Sequence, residues 1–149
     1  MSGSTFPRIL LTILFGLGLV IAPAQAAAPP GVITEYDLPA GSEASEIAAG
    51  PDGNLWFTEN DRHMIGRITP GGSVTEFPLA TGAEPLGIAA GPDGNMWFTE
   101  YGAQAIGKVT MTGVVSEYAL TPGRGPADIT AGPDGNMWFT EYNGNRIGT

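Results

Sequence analysis

Short apolar segments alternate with turn residues along most of the chain, and this pattern repeats every 41 residues. The most regular part is the segment GPDGNMWFTE, which occupies residues 91–100 and 132–141 and, with Leu55 in place of Met, residues 50–59. Each repeat contains four apolar or β-branched runs and no stretch of helical periodicity. Four antiparallel strands in a unit of about 40 residues are typical of a propeller blade. The pattern therefore predicts an all-β chain of β-propeller blades.

The second repeat illustrates the predicted blade. We expect strand A at residues 86–90, strand B at 96–100, strand C at 106–110 and strand D at 114–120. Residues 91–95 form the hairpin loop between strands A and B, because its proline fixes φ and its glycine tolerates positive φ. Strand B carries large apolar side chains on both faces, so both faces of a blade should be buried. We interpret the repeated tryptophan of strand B as packing between blades.

The same assignment predicts the organisation of the whole chain, with residues 27–149 as a partial propeller. Its predicted parts are an orphan outer strand at 33–38, blade 1 at 46–79, blade 2 at 86–120 and a truncated blade 3 at 127–149. Propellers close with about four to eight blades. We therefore expect an incomplete ring of about three blades, from a fragment or a truncated gene product. The alternative is a three-bladed chain that oligomerises into a ring.

The N-terminus predicts export. Arg8 precedes an apolar stretch at residues 9–22, and Ala24, Gln25 and Ala26 supply a small-x-small cleavage pattern. An apolar stretch of this length is too short to span a bilayer comfortably. Residues 1–26 are therefore predicted to be a secretory signal peptide, which gives a periplasmic or secreted protein with no stable membrane anchor after cleavage.

Composition narrows the function classes. The 149 residues include six Lys plus Arg against fifteen Asp plus Glu, a formal net charge of −9, and no Cys. Such an acidic chain has little to neutralise phosphates, which argues against nucleic acid as a partner. Without disulfides, stability must come from packing alone.

Three sets of residues carry a family resemblance: WFTE, IG(R/K)(I/V)T and (T/S)E(Y/F)xL. From about residue 33 to 149 the chain resembles the virginiamycin B lyase (streptogramin lyase) family. The resemblance implies a seven-bladed parent propeller that linearises cyclic depsipeptide antibiotics by elimination at their ester bond. In that reaction a base removes the proton α to the ester carbonyl, and Mg²⁺ stabilises the resulting enolate. The implied partner is a small cyclic peptide.

The ends of the A–B hairpin hold the candidate site. A hairpin centred on Asp93 would place Leu86 opposite Glu100, with Glu84 just before it. Two carboxylates at one mouth of the propeller could hold a hard cation. The resemblance implies a Glu-x-His at the start of strand A and a Glu at the end of strand B, so it predicts Glu84 and Glu100 as ligands of Mg²⁺.

The catalytic histidine of that pattern is missing from the chain. Leu86 stands at its position, and the equivalent residues of the other repeats are Ser45 and Ala127. In the family the histidine-bearing blades come later. We therefore assign no catalytic residue and expect the chain to be inactive alone.

The remaining candidate residues are less strongly associated with a function. The single histidine, His63, is expected to be a solvated loop residue, and Tyr101 and Tyr142 could line the mouth. The glutamates that end each strand B are expected to be mainly structural. The aspartates of the Pro-Asp-Gly-Asn loops, Asp52, Asp93 and Asp134, are assigned to turns.

Three functions follow, in order of preference. The first is an exported streptogramin-lyase-like propeller, and the alternative is a non-catalytic scaffold that binds an envelope component. A metal-dependent lactone hydrolase ranks last, because the A strands offer no distinctive set of Asn and Asp ligands.

Overall fold

A computed structural model describes residues 31–149, so the predicted signal peptide lies outside the described residues. This part of the chain forms eleven strands in three antiparallel sheets. Blade 1 consists of β1 (Ala44–Ala49), β2 (Leu55–Glu59), β3 (Met64–Ile68) and β4 (Val74–Pro78). Blade 2 consists of β5 (Pro85–Ala90), β6 (Met96–Glu100), β7 (Ala105–Val109) and β8 (Val115–Ala119). Blade 3 consists of β9 (Pro126–Ala131), β10 (Met137–Glu141) and β11 (Arg146–Gly148).

Within each blade the strands neighbour one another in chain order, as the repeat predicts. The all-β prediction is therefore confirmed, and the three sheets correspond to blades of an incomplete propeller without a closed ring. None of residues 31–149 lies in a helix long and apolar enough to cross a membrane.

Residues 33–38 were predicted to form an outer strand, but in the structure they belong to no sheet. The strands C of blades 1 and 2 already pair with β4 and β8, and residues 33–38 do not pair with β11 of blade 3. The segment still lies against blade 1, where the Tyr36 hydroxyl donates to the Pro70 carbonyl at 3.1 Å. The Tyr36 ring covers Gly72 in the turn between β3 and β4.

A contact that recurs in each blade explains the glycine of the Ile-Gly pair in every strand C. A Cβ atom added to Gly66 or Gly107 would come within 2.1 Å of the Phe57 or Phe98 ring of the neighbouring strand. These rings therefore lie flat on the glycines inside the sheet. A side chain at either glycine would therefore displace the ring from its place in the sheet.

Blades pack face to face through the apolar residues of strands A, B and C. Trp56 is fully buried, and it belongs to one core cluster with Ile88 and Met96 of blade 2. Its ring stacks on Phe77 with centroids 5.3 Å apart. The location of Trp56 agrees with the interpretation of the repeated tryptophan as packing between blades.

A threonine hydroxyl links each blade to the next. Thr58 Oγ1 accepts the Glu46 N–H at 3.1 Å within its own blade and donates to the Leu86 carbonyl of blade 2 at 2.7 Å. Thr99 repeats this arrangement with Gly87 at 2.9 Å and with the Ala127 carbonyl of blade 3 at 2.8 Å. The threonine of the WFTE segment is therefore an inter-blade connector.

Each of these threonines faces a β-bulge in strand A. The pairing of β5 with β6 shifts between Ile88, opposite Phe98, and Pro85, opposite Glu100. Two residues of β5 then oppose Thr99 alone, which leaves backbone groups without ladder partners. The threonine hydroxyl satisfies one of them in its own blade and one in the next.

Replacing Thr99 by valine should therefore destabilise the protein more than its change in volume suggests. Thr99→Val keeps the shape but leaves the Gly87 amide and the Ala127 carbonyl without their partner. We expect a loss of about 2 to 4 kcal/mol in unfolding free energy, because each buried orphaned group costs about 1–3 kcal/mol. Thr99→Ser is the matched control, since it keeps the hydroxyl and loses a methyl group. Equal losses for the two variants in urea denaturation would contradict the connector role.

Candidate functional site

The glutamates that end strand B are the most buried ionisable residues of the described chain. Glu59 and Glu100 have no exposed surface, and the side chain of Glu141 is 10% exposed. All three follow the connector threonine and therefore lie at one end of their blades. A carboxylate without water is costly unless a cation or donors compensate it. The three blades differ in how they provide this compensation.

In blade 1 the compensating cation comes from the loop between strands B and C. Arg62 Nη1 donates to Glu59 Oε2 at 3.1 Å and also binds the carboxylate of Glu76 on β4. The same nitrogen lies 3.3 Å from Ser42 Oγ. One guanidinium thus serves two carboxylates.

In blade 3 the cation comes from a different loop. Arg124 precedes β9, and its Nη1 lies 3.4 Å from Glu141 Oε2. Its stem lies over Gly144, since a Cβ atom added there would be 3.3 Å from Arg124 Cδ. Gly144 is the counterpart of Arg62, so the arginine reaches the same place from another position of the repeat.

Blade 2 has no cation at either position. Ala103 stands where blade 1 has Arg62, and Ala83 stands where blade 3 has Arg124. Both carboxyl oxygens of Glu100 are buried without a hydrogen-bond partner. Burial and the nearby carboxylate of Glu117 on β8 raise the pKa of Glu100 to about 7. Glu100 is thus the uncompensated acid of the site.

The bulge in strand A moves Leu86, the position expected for the histidine, away from the place opposite Glu100. Pro85, and not Leu86, lies opposite Glu100. The simple hairpin count fails because the bulge adds one residue to β5 between Pro85 and Ile88. Leu86 therefore sits in the bulge opposite Thr99, with its carbonyl bound by Thr58.

Glu84, the other predicted metal ligand, lies beside the end of β6. Its carbonyl accepts the Tyr101 N–H at 3.1 Å, and its backbone is left-handed with φ 47°. Its side chain is directed to Gly102, where an added Cβ atom would be 2.9 Å from the carboxyl carbon. The Glu100 side chain instead lies near Glu117. The backbones of Glu84 and Glu100 are thus close, while the contacts found for the two carboxyl groups involve different residues.

A magnesium site at Glu84 and Glu100 stays a prediction. Residues 31–149 contain no cluster of three or more potential His, Cys, Asp or Glu ligands. Of the two predicted ligands, Glu100 is the better candidate, because its buried oxygens have no hydrogen-bond partner, whereas Glu84 is exposed.

His63 has a structural contact that the sequence did not suggest. It adopts a left-handed φ of 53° in the loop before β3, and its Nδ1 accepts the Glu84 N–H at 3.3 Å. The histidine is half-buried and connects blade 1 to the loop that enters blade 2. Its sequence neighbours carried no sign of this role.

The aspartates of the hairpin loops fulfil the predicted turn role. In each loop the carboxylate accepts hydrogen bonds from the asparagine two residues later and from the indole of the tryptophan four residues later. The bonds from Trp138 and Asn136 lower the pKa of Asp134. Tyr142, predicted to line the mouth, is exposed, and the Tyr101 hydroxyl accepts from Asn143 Nδ2 at 3.0 Å.

Comparison with known proteins identifies the family. A sequence profile described as the Virginiamycin B lyase family matches residues 25–149. The chain belongs to this family. A search of curated proteins found no match.

Solved lyases resemble the chain in both sequence and fold. Selenomethionine-substituted virginiamycin B lyase from Staphylococcus aureus shares 45% identity over 79% of this chain, with a TM-score of 0.76. A structure described as streptogramin B lyase shares 50% identity over 79%, also with a TM-score of 0.76. A catalytically inactive variant of the S. aureus lyase with quinupristin shares 44% identity over 81%, with a TM-score of 0.78. The aligned region covers only 41–42% of these relatives, so the chain spans about two fifths of their length.

The raised pKa of Glu100 predicts a pH-dependent stability. The folded protein holds a proton on Glu100 up to a pKa of about 7, whereas the unfolded chain releases it near the ordinary value of 4.5. The free energy of unfolding should therefore fall by up to about 3 kcal/mol as the pH rises from 4.5 through 7. Glu100→Gln should remove this component, and Glu117→Gln should retain most of it because burial is the larger cause. Urea denaturation across this range measures the slope, and an unchanged slope in Glu100→Gln would exclude Glu100 as its source.

Restoring the missing arginine should stabilise blade 2 at alkaline pH. Ala103 is exposed and occupies the position of Arg62, so Ala103→Arg can reach Glu100 and Glu117 as Arg62 reaches its two partners. We expect a gain of about 1–3 kcal/mol at pH 8, typical of hydrogen bonds to a charged group, and a smaller gain at pH 5, where Glu100 is protonated. Ala103→Met is the control for chain length without charge. An identical effect of both variants at the two pH values would show that packing, and not charge, causes the change.

Proposed function

We propose that the protein is an exported virginiamycin B lyase-like propeller that binds cyclic depsipeptides but does not open their ring by itself. The proposal rests mainly on the identity of the residues near the carboxylate of Glu100. Pro85 faces Glu100, and Leu86 occupies the place where the family resemblance requires a histidine base. Neither side chain can accept a proton.

The remaining candidates for a base are unsuited to this role. His63 uses Nδ1 to bind a backbone amide in the loop before β3. Glu100 has a pKa near the working range, but its oxygens are fully buried and cannot contact a substrate in this conformation. A general base must come within hydrogen-bonding distance of the proton that it removes. Binding without elimination is therefore the function that the described residues support best.

Binding is supported by the surface around the strand B ends. Tyr101 and Tyr142 follow directly after Glu100 and Glu141 in the sequence, and Tyr142 is 78% exposed just past the end of β10. Aromatic faces with a polar rim suit a ligand that combines apolar groups with amides. A related lyase from S. aureus has been solved with quinupristin, which makes this compound the natural first ligand to test.

The proposal includes a test of whether Mg²⁺ affects ligand binding. When bound, the ion would supply positive charge for an enolate. Of the predicted ligands, Glu100 offers unpartnered oxygens, while Glu84 lies at the same end of the hairpin. Ligand binding should therefore be measured both with Mg²⁺ and with a chelator.

The export part of the proposal depends on residues 1–26. Cleavage after Ala26 would leave Ala27 as the mature N-terminus and place the protein in the periplasm or medium. Intact-mass measurement of the protein recovered from the cell envelope and the medium tests this step. A full-length mass in the cytoplasmic fraction would contradict it.

Quinupristin provides a direct test of binding and of catalysis. We expect saturable binding in calorimetry, with a stabilisation of about 2.7 kcal/mol at a ligand concentration of one hundred times Kd. Chromatography with mass detection should show no ring-opened product, which by elimination would have the same mass and a new retention time. The S. aureus lyase is the positive control.

Two results would redirect the proposal. Ring opening by the purified chain would mean that a base exists that the present assignment lacks. No binding of quinupristin, together with a thermal shift on adding cell-wall fragments, would support the alternative of a non-catalytic envelope scaffold.

A further inference from the structure

Two carboxylates of blade 1 hold one guanidinium group between them. Phe57 of β2 and Glu76 of β4 both pair with Gly66 of β3, so Glu59, two residues after Phe57, shares a sheet face with Glu76. Arg62 Nη1 donates to Glu59 Oε2 at 3.1 Å and also binds Glu76, while its Nη2 donates to Glu76 Oε2 at 3.3 Å. The acid pair of blade 1, Glu59 and Glu76, is thus a binding place for a guanidinium.

Blade 2 contains the same acid pair in the same register. Phe98 of β6 and Glu117 of β8 both pair with Gly107 of β7, which puts Glu100 and Glu117 on one sheet face. Burial, and then the charge of Glu117, raise the pKa of Glu100 to about 7, so the two carboxyl groups lie near each other. The acid pair of blade 2, Glu100 and Glu117, therefore repeats the arrangement of blade 1.

The two blades differ in the side chains that accompany the acid pair. Ala103 takes the place of Arg62. Ala83 takes the place of Ser42, whose hydroxyl accepts from Arg62 Nη1 at 3.3 Å in blade 1. The loop backbone is otherwise alike, with a left-handed residue directly before strand C in both blades. Blade 2 thus keeps the acids and the loop conformation without the arginine side chain.

Among residues 31–149, no side chain replaces the arginine at Glu100. Glu100 has no exposed surface, and both of its carboxyl oxygens are without a hydrogen-bond partner. The basic residue of blade 2, Lys108, lies over the Trp97 ring and 3.8 Å from Asp93 of the hairpin loop, at the other end of strand B. A buried carboxylate without a compensating charge is costly. This buried acid indicates a cation that comes from outside the chain.

The acid pair of blade 2 has a neighbouring blade on each side and faces solvent at the mouth. The connector threonines bond blade 2 to blade 1 and to blade 3. Glu117 and Ala103 are both exposed, so a solute can reach Glu117 directly, and rotation of the Glu117 side chain opens the path to Glu100. The carboxyl group of Glu84 lies beside Gly102 in the same loop and adds negative charge that attracts a cation.

We propose that Glu100 and Glu117 bind the guanidinium group of another molecule, in the place that Arg62 occupies in blade 1. The group belongs either to a small guanidinium compound or to an arginine of a peptide. Binding at this acid pair goes beyond the proposed depsipeptide ligand and does not depend on it.

A guanidinium suits the acid pair better than other cations do. It is planar, offers parallel N–H donors that match carboxylate oxygens, and is more weakly hydrated than an ammonium group. Blade 1 demonstrates that two carboxylates at this spacing accept its shape. A metal ion is a poorer match, because the described residues contain no cluster of three or more potential His, Cys, Asp or Glu ligands.

Thermal unfolding of the purified full chain at pH 8, above the pKa of Glu100, tests the proposal. Guanidinium chloride at millimolar concentrations, far below those that denature proteins, should raise the midpoint of unfolding because it binds the folded chain. Sodium chloride and tetramethylammonium chloride at equal ionic strength should not. Glu117→Gln should weaken the apparent affinity at least tenfold. Glu35→Gln is the matched control, since it removes the same charge from an exposed acid beside blade 1.

Equilibrium dialysis with isotopically labelled guanidinium counts the sites. The wild type should bind one ion per chain, and Ala103→Arg should bind none because the chain then supplies its own guanidinium. Arg62→Ala should bind two, since it opens the equivalent acid pair of blade 1. Far-UV circular dichroism verifies that each variant keeps its sheets.

Competition distinguishes the source of the guanidinium. Agmatine and an alanine-arginine-alanine tripeptide amide should both displace the labelled ion. Tighter binding of the tripeptide assigns the group to a peptide, and tighter binding of agmatine assigns it to a small solute.

Several results would overturn the proposal. They are no shift with guanidinium, an equal shift with tetramethylammonium, and a shift that persists in Ala103→Arg. A larger shift with magnesium chloride that is lost in Glu117→Gln would assign the acid pair to a metal ion and would also overturn it.

Discussion

The hydrogen bonds of the connector threonines are the constraint on which the blade arrangement depends. A bulge in strand A breaks the ladder at the point where one blade meets the next. The hydroxyls of Thr58 and Thr99 accept from their own bulge and donate to the bulge of the following blade. A bulge without the hydroxyl would leave buried polar groups, and a hydroxyl without the bulge would have no amide to accept from. The two features therefore need each other, which explains why the threonine recurs in every repeat.

The sequence predicted those parts of the fold that follow from period and turn chemistry. Strand order and the turn role of Asp93 follow from the 41-residue repeat and the Pro-Asp-Gly-Asn loops. Gly87 inside strand A is compatible with a bulge, but the same bulge occurs in β1 and β9, where the equivalent residues Glu46 and Asp128 give no such signal. The register at Glu100 was consequently wrong by one residue. A short-range count fails wherever the ladder is interrupted by a contact that comes from another blade.

The electrostatics of the site could be predicted only in part. The repeated glutamate indicates a carboxylate at the end of every strand B, but its environment depends on residues elsewhere in the repeat. Arg62 binds one oxygen of Glu59, and Arg124 lies beside Glu141, from two different loops. The other oxygen of Glu59 has no partner, and burial still raises the pKa of Glu59. Comparing aligned repeats reveals that blade 2 has alanine at both positions, yet the sequence alone does not show that both loops converge on one carboxylate. That convergence requires the three-dimensional path of the loops.

Repetition also separates scaffold from candidate function in this chain. Residues that recur at the same position in every blade, such as the threonine, the tryptophan and the strand C glycine, each have a packing or hydrogen-bonding role in the structure. Residues that break the repeat, such as Ala103 opposite Arg62, change charge or exposure at a single place. Chemistry specific to one ligand needs such an asymmetric place, because equivalent blades present equivalent surfaces. The uncompensated Glu100 is the clearest asymmetry among the strand B carboxylates, since both of its oxygens are buried without a hydrogen-bond partner.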